Sequence, residues 1–368
     1  MDIKLKCRVV TPMFMAGADG QTPELRPSEF KGMMRFWWRA IKAEDDIEQL
    51  KRDETEIFGG TGETGCKSKI NLRLSHNYDL IQKYKGTDIK NDYRLKWDFN
   101  SAERTLTGIH SGIGYLLYST TLRSSRRGFI KDGFTFEILL SSFHDEALKE
   151  TLASLWLAIY LGGFGTRARR GGGNLVVDEI EPRNTFDIDF ICSVKNKNGL
   201  REWLASNLTR IKNNVIKKDI KSTNTKKYSV LAGGKLLIFD YKNSWIDALN
   251  LLGKRFSEFR HENRAESFRK TAAFGMPVMH RGFRMVPYKN DDRLSERFAS
   301  PLIFKVIKSD NLYFPILLQL NCDIPKVGKE EKERNKGRKL VNSPKQISQN
   351  LIEEFLAVFK DEALEVSL

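Results

Sequence analysis

Gly162-Gly163-Phe164-Gly165-Thr166-Arg167-Ala168-Arg169-Arg170-Gly171-Gly172-Gly173 stands between two segments of different periodicity, and that change of period decides the fold. Upstream, Leu148, Leu152, Leu155, Trp156 and Ile159 recur as one face of a helix. Downstream, Asn174 to Ile180 reads as a strand. The loop therefore joins a helix to a strand, the reverse of a nucleotide-binding turn, in which a strand feeds a helix N-terminus. Its glycines permit positive φ and close approach of another backbone. Arg167, Arg169 and Arg170 are not neutralised by any acid within the loop. A guanidinium fork suits phosphate oxygens and guanine edges, so these arginines, with Gly163, Gly165 and Gly171, are candidate RNA contacts made by backbone N–H groups and side chains together. The bland alternative is a flexible surface loop with incidental charge.

Working outward, Ile3, Leu5, Cys7 and Val9 alternate with polar residues, the period of a half-buried strand, which Thr11-Pro12 ends. Phe30, Met33, Met34, Trp37, Trp38 and Ile41 recur at helical spacing, with Ser28 as N-cap. That spacing assigns Trp37 and Trp38 to the core rather than to base stacking. Lys31, Arg35, Arg39 and Lys42 form a basic strip beside the apolar face. With Arg26 just before the helix, Lys31, Arg35 and Arg39 complete the candidate RNA contacts. Alternation returns at Lys69 to Leu74 and in parts of Gly128 to Leu140, and a helix starts near Ser142, where Asp145 suggests a capping box. The order strand, helix, strands, helix, Gly-rich loop, strand fits a βαββαβ ferredoxin-like module with insertions, the plan also used by RNA-recognition domains.

Past Pro182 the pattern restarts, with helices at Leu200 to Val215, Trp245 to Phe259 and Gln346 to Phe359 and strands at Lys235 to Phe239, Pro301 to Ile307 and Leu312 to Leu318. The expectation is an α+β protein with two ferredoxin-like domains, 1–182 and 183–368. Lys195 to Lys227 and Lys326 to Lys345 are lysine-rich and read as solvated or mobile segments able to touch phosphates. Gly60-Thr61-Gly62-Glu63-Thr64-Gly65 satisfies GxGxxG, but a strand pattern follows it and Cys66 stands at the P-loop lysine position. It reads as a tight turn.

A net charge of +15 over 368 residues favours an anionic partner. No apolar run approaches the roughly 20 residues that span a bilayer, and the N-terminus has no signal-peptide pattern, so a cytoplasmic protein without membrane partners is expected. Cys7, Cys66, Cys192 and Cys322 make no CxxC pair, and the five histidines are dispersed. No metal and no cofactor is expected.

Several of these motifs together resemble a known family. They are Thr11-Pro12; Ala18-Asp19-Gly20; Glu24-Leu25-Arg26-Pro27-Ser28 to Lys31-Gly32; Arg35-Phe36-Trp37-Trp38-Arg39-Ala40; Phe58-Gly59-Gly60 to Ser68; the Gly162 to Gly173 loop; Phe274-Gly275-Met276-Pro277; and Arg297-Phe298-Ala299-Ser300-Pro301-Leu302. In combination they resemble the RAMP (repeat-associated mysterious protein) superfamily, in its form as the first subunit of the Cmr, or type III-B CRISPR, effector complex. The resemblance implies two ferredoxin-like folds, assembly with other Cmr subunits, and a place near the 3′ region of the guide RNA, where guide and target RNA are engaged. Target cleavage is attributed to a different subunit. Some RAMP relatives cut RNA, generally through a histidine near the N-terminal helix or an adjacent loop, and this chain has none from Met1 to Thr64 or in the Gly-rich loop.

Two readings follow. One is a non-catalytic RNA-binding subunit of antiviral defence. The alternative is a metal-independent RAMP-type endoribonuclease, for which His76 or His110 with lysine and arginine would supply acid and base. A membrane-surface role has little support without a free basic amphipathic helix.

Overall fold

The computed structural model describes the chain except residues 62–64, 104, 122–126, 184, 216–224, 267–269, 281–282, 290–291, 294–296, 334–336 and 348–349. Gly62, Glu63 and Thr64 of the GxGxxG match therefore lie outside the described residues; the strand expected after them runs Asn71–Ser75.

The first antiparallel sheet has the spatial order Asn71–Ser75, Thr135–Ser141, Asp2–Val9, Leu175–Glu181. Helices Pro27–Lys42 and Asp145–Tyr160 complete a βαββαβ unit. Ile3, Leu5, Cys7 and Val9 face inward, while Lys4, Lys6 and Arg8 pair outward with Glu137, Glu179 and Asp178. That one-sided burial is why this strand alternates so cleanly.

Helix Pro27–Lys42 starts with proline at its first position, where the missing N–H is one of the helix's unpaired donors anyway. Arg26, not the expected Ser28, is the N-cap residue, and no side chain caps this end. Ala43, in the left-handed region, ends the helix with its N–H on the Arg39 carbonyl. Ser142 also differs from expectation. The second helix begins at Asp145 behind His144, and the Ser142 hydroxyl instead donates to the Lys69 carbonyl and accepts from the His144 N–H.

The second module repeats the order. Strand Val230–Ile238, helix Trp245–Glu266, strands Leu302–Ser309 and Leu312–Asn321, helix Asn350–Ala357 and strand Leu364–Ser367 follow in sequence. Its sheet runs Leu302–Ser309, Leu312–Asn321, Val230–Ile238, Leu364–Ser367, position for position the order of the first. The fold is α+β with two ferredoxin-like modules.

This second sheet is covered on both faces. Ile303, Ile307, Phe314 and Ile316 join the core that contains Trp37, Trp38 and Trp156 of the first module. Leu302, Phe304, Val306 and Leu317 pack on the other side with Phe256, Phe274 and Phe355. Phe256 lies 4.8 Å from Phe304 and 5.2 Å from Phe355, ring centre to ring centre. Two-sided burial explains why Leu302-Ile303-Phe304-Lys305-Val306-Ile307 lacks alternation.

Much of the described part of the lysine-rich segments is regular secondary structure. Lys197–Val215 is a helix that buries Leu200, Leu204, Leu208, Ile211 and Val215, while 216–224 lie outside the described residues. Lys326–Glu333 and Gly337–Lys345 pair as a hairpin and join Phe283–Lys289 and Val278–His280 in an accessory sheet. Val286 and Val327 are fully buried in it, and Lys329 lies over the Phe283 ring at 3.5 Å. Among the described residues no helix is long and apolar enough to cross a membrane.

Candidate nucleic-acid interface

The Gly-rich loop is wedged between the modules. At Gly165, φ is +81° and a β-carbon would come within 2.6 Å of the Phe14 carbonyl oxygen. At Gly171, φ is +85° and a β-carbon would collide with the Leu249 side chain of the second module. Only glycine meets both demands. Gly163 has the Gly172 carbonyl where a side chain would begin. The close backbone approach read from sequence is realised, and it consumes the loop's donors. The N–H groups of Phe164, Thr166, Arg170, Gly172 and Gly173 bond to Gly173, Phe14, Arg167, Arg167 and Pro12 carbonyls respectively. The expected display of backbone N–H groups is thus largely taken up internally, and side chains carry what the loop offers.

Those side chains border a cleft of about 1290 Å³ between the modules. Arg167, at φ +69°, places its guanidinium 5.0 Å from the Tyr118 ring, and its buried Nε has no partner among the described residues. Arg169 lies 5.1 Å from the Phe36 ring and donates to the Ser300 carbonyl. Arg170 is held between Phe256 and Phe304, at 5.0 and 5.1 Å. Its Nη2 donates to the Phe274 carbonyl at 3.0 Å, and its buried Nη1 has no partner among the described residues. Burial, and then the neighbouring Arg260 and Arg167, push its pKa down to about 9.

Arg260 was not singled out from sequence. It lies on helix Trp245–Glu266, one turn past Phe256, and stacks against Phe256, Phe274 and Tyr115. Lys90, Arg297 and His261 also line the cleft. The acid lining it is Asp98, 3.5 Å from Lys90. Among the described residues, six lysines and arginines thus line the cleft with one carboxylate and aromatic walls. Each unsatisfied buried donor costs about 1–3 kcal/mol, so an anion with several acceptor oxygens would relieve the site.

The first-helix candidates are placed differently. Arg35 Nε and Arg39 Nη1 both donate to Glu54 Oε1, at 2.5 and 2.6 Å, and Arg35 Nη1 reaches the Gly59 carbonyl at 3.2 Å. Glu54 is nearly buried, on helix Ile47–Phe58. Lys31 donates to the Ser68 hydroxyl at 3.0 Å, and Arg26 to the Ala16 carbonyl at 3.4 Å. None of Arg26, Lys31 or Arg35 borders the cleft; Arg39 borders a neighbouring one. Trp37 and Trp38 are fully buried, as their spacing predicts, and Trp38 Nε1 donates to Glu150 at 2.7 Å. Trp37 forms part of the cleft floor.

Of the histidines named from sequence, His110 accepts the Lys96 N–H at 2.9 Å, and His76 packs edge-on to Phe134 with its Nδ1 unpartnered. Neither borders the cleft, whereas His261 does.

The chain has relatives. The RAMP superfamily profile matches residues 6–176, from the first strand through the Gly-rich loop. The chain is 32% identical over 182 residues to the CRISPR system Cmr subunit Cmr1-2 of Pyrococcus furiosus, covering 46% of this chain and 90% of that protein. It is 25% identical over 302 residues to Cmr1-1 of the same organism, covering 78% and 77%. Among solved structures it resembles apo Cmr1 from Pyrococcus furiosus, with a TM-score of 0.64 at 17% identity over 100% of this chain and 98% of that one. It also resembles a chain of the type III-B Cmr-beta complex bound to cognate target RNA and AMPPnP, with a TM-score of 0.57 at 18% identity over 87% and 94%. These two likenesses speak to the fold. With the sequence matches and the doubled βαββαβ architecture, they lead to one assignment: the chain belongs to the RAMP superfamily, among the Cmr1 subunits of CRISPR Cmr systems.

Proposed function

We propose that this chain is a non-catalytic RNA-binding subunit of a cytoplasmic type III-B effector complex. It works beside other Cmr subunits and engages guide and target RNA near the guide's 3′ end. The observation that carries the reading is the arginine cluster of the cleft, where Arg167 and Arg170 keep unsatisfied buried donors and Arg260 adds a third guanidinium. Phosphodiester oxygens match those donors, and the ring-lined walls suit unpaired bases.

Fluorescence anisotropy with single-stranded RNA tests this. Arg167→Ala and Arg260→Ala together are expected to weaken binding and to lower the log–log salt slope by roughly 1.4, at about 0.7 per phosphate neutralised. An unchanged slope sinks the reading. Arg169 and Arg170 are poorer probes, because both also hold carbonyls of the second module.

The endoribonuclease alternative now rests on His261, the imidazole among the cleft's cations. It would take the RNA 2′-hydroxyl proton as that oxygen attacks the adjacent phosphate, breaking the P–O5′ bond to leave a 2′,3′-cyclic phosphate while water protonates the departing 5′-oxygen. Labelled guide RNA incubated with the protein in EDTA is expected to stay intact. Discrete cuts abolished by His261→Ala would establish the alternative instead.

A further inference from the structure

A second recess of about 670 Å³ adjoins the arginine cleft. Phe36, Phe298 and Ala299 line both, so the two meet across one shared wall. Arg39, Lys226, Lys227 and Lys326 line the second recess, against Asp323 as its acid, with Tyr228 and Tyr288 among its rings. Arg39 is committed to Glu54, and Lys227 to Asp45 at 3.7 Å. Lys226 and Lys326 make no ion pair among the described residues.

We propose that the second recess is a continuation of the RNA path, so that one single strand runs from the arginine cleft across the Phe36–Phe298 wall and onto Lys226 and Lys326. This rests on the reading of the first cleft as an RNA site. Continuity and charge carry the extension. The recess opens where a strand leaving Arg169 would go, since Arg169 lies over Phe36, and the two lysines there make no ion pair among the described residues. Cationic side chains and aromatic rings line both sides of the wall, which is the composition of sequence-tolerant single-strand tracks. The lysines come from distant segments, one at the start of the accessory hairpin and one after residues 216–224, so the path is assembled by the fold.

The test uses the full chain and fluorescein-labelled oligouridylates of about four and about twelve nucleotides, lengths that bracket single-strand site sizes. In the wild type the longer strand is expected to bind at least tenfold tighter and with the steeper salt slope. Lys226→Gln with Lys326→Gln is expected to remove most of that advantage and lower the long-strand slope by about 1.4. Affinity for the short strand should stay unchanged, which also reports an intact fold. If the short strand binds through Arg167 and Arg260 but added length brings nothing, the extension is wrong and the first cleft stands. Equal losses on both lengths overturn it too, since the lysines would then act only through the overall field. If neither strand binds the wild type, the RNA reading of the first cleft fails and the extension fails with it.

Discussion

Lys305 lies wholly inside the protein on strand Leu302–Ser309, and its ammonium donates to the Gly162 carbonyl at the root of the Gly-rich loop, at 2.8 Å. Burial pushes its pKa from the ordinary 10.5 down to about 7. An unfolded chain keeps that proton up to about pH 10.5, whereas the folded chain gives it up near 7. Across that window the unfolded state binds more protons, so stability rises with pH from this group, by up to about 1.4 kcal/mol per unit. Urea unfolding at pH 7, 8 and 9 is expected to show the wild type gaining stability relative to Lys305→Met; parallel curves would mean that the amine is not desolvated. Arg167 carries a different stress. At φ +69° a β-carbon costs about 1–2 kcal/mol. Arg167→Gly should therefore stabilise the protein by about 0.5–1 kcal/mol while weakening RNA binding. A drop in melting temperature with this variant would show that stacking on Tyr118 outweighs the strain.

The first helix mixes core and charge more closely than its sequence suggests. Read as a solvated strip, Lys31, Arg35 and Arg39 could all become alanine with little effect on melting. In the structure Glu54, only 5% exposed, depends on both arginines. Removing them leaves a buried carboxylate without its cations, an expected loss of about 1–3 kcal/mol, kept below the figure for fully buried pairs by the arginines' partial exposure. Adding Glu54→Gln to the arginine variant should restore part of the loss, and thermal melting of the four-member cycle measures the coupling. If the arginine variant melts like the wild type, the strip is solvated after all. On the opposite face, Trp37→Ala should cost about 3–5 kcal/mol by opening a cavity, with insoluble protein as the outcome to look for.

For the whole molecule, the excess of positive charge acts on folding and on binding with opposite sign. Six cations crowd one cleft, and Arg260 and Arg167 already lower the pKa of Arg170. Screening that repulsion is expected to raise the melting temperature as sodium chloride increases, while RNA affinity falls. RNA at about one hundred times its Kd should stabilise the fold by about 2.7 kcal/mol. A melting temperature that falls with salt would place the dominant electrostatics in the surface ion pairs, such as Lys6–Glu179, rather than in the cleft.

Local pattern determined a good deal. Alternation in Ile3 to Val9, the helical spacing of Phe30 to Ile41 and the passage from helix to strand across Gly162 to Gly173 lead to a βαββαβ unit, and its recurrence leads to two. These are short-range signals, each written within one element. The strand Leu364–Ser367 escaped because four residues give too little period to detect. The hairpin from Lys326 escaped because charge masked the alternation around Val327. What only the tertiary structure decided is which cations gather in the cleft. Arg35 and Arg39 are claimed by a glutamate fifteen or more residues away, whereas Arg260 and Arg297 come from a separate module to join the loop. A sequence records charge at each position, but neutralisation depends on distance in space, and that is set by how the two sheets pack together.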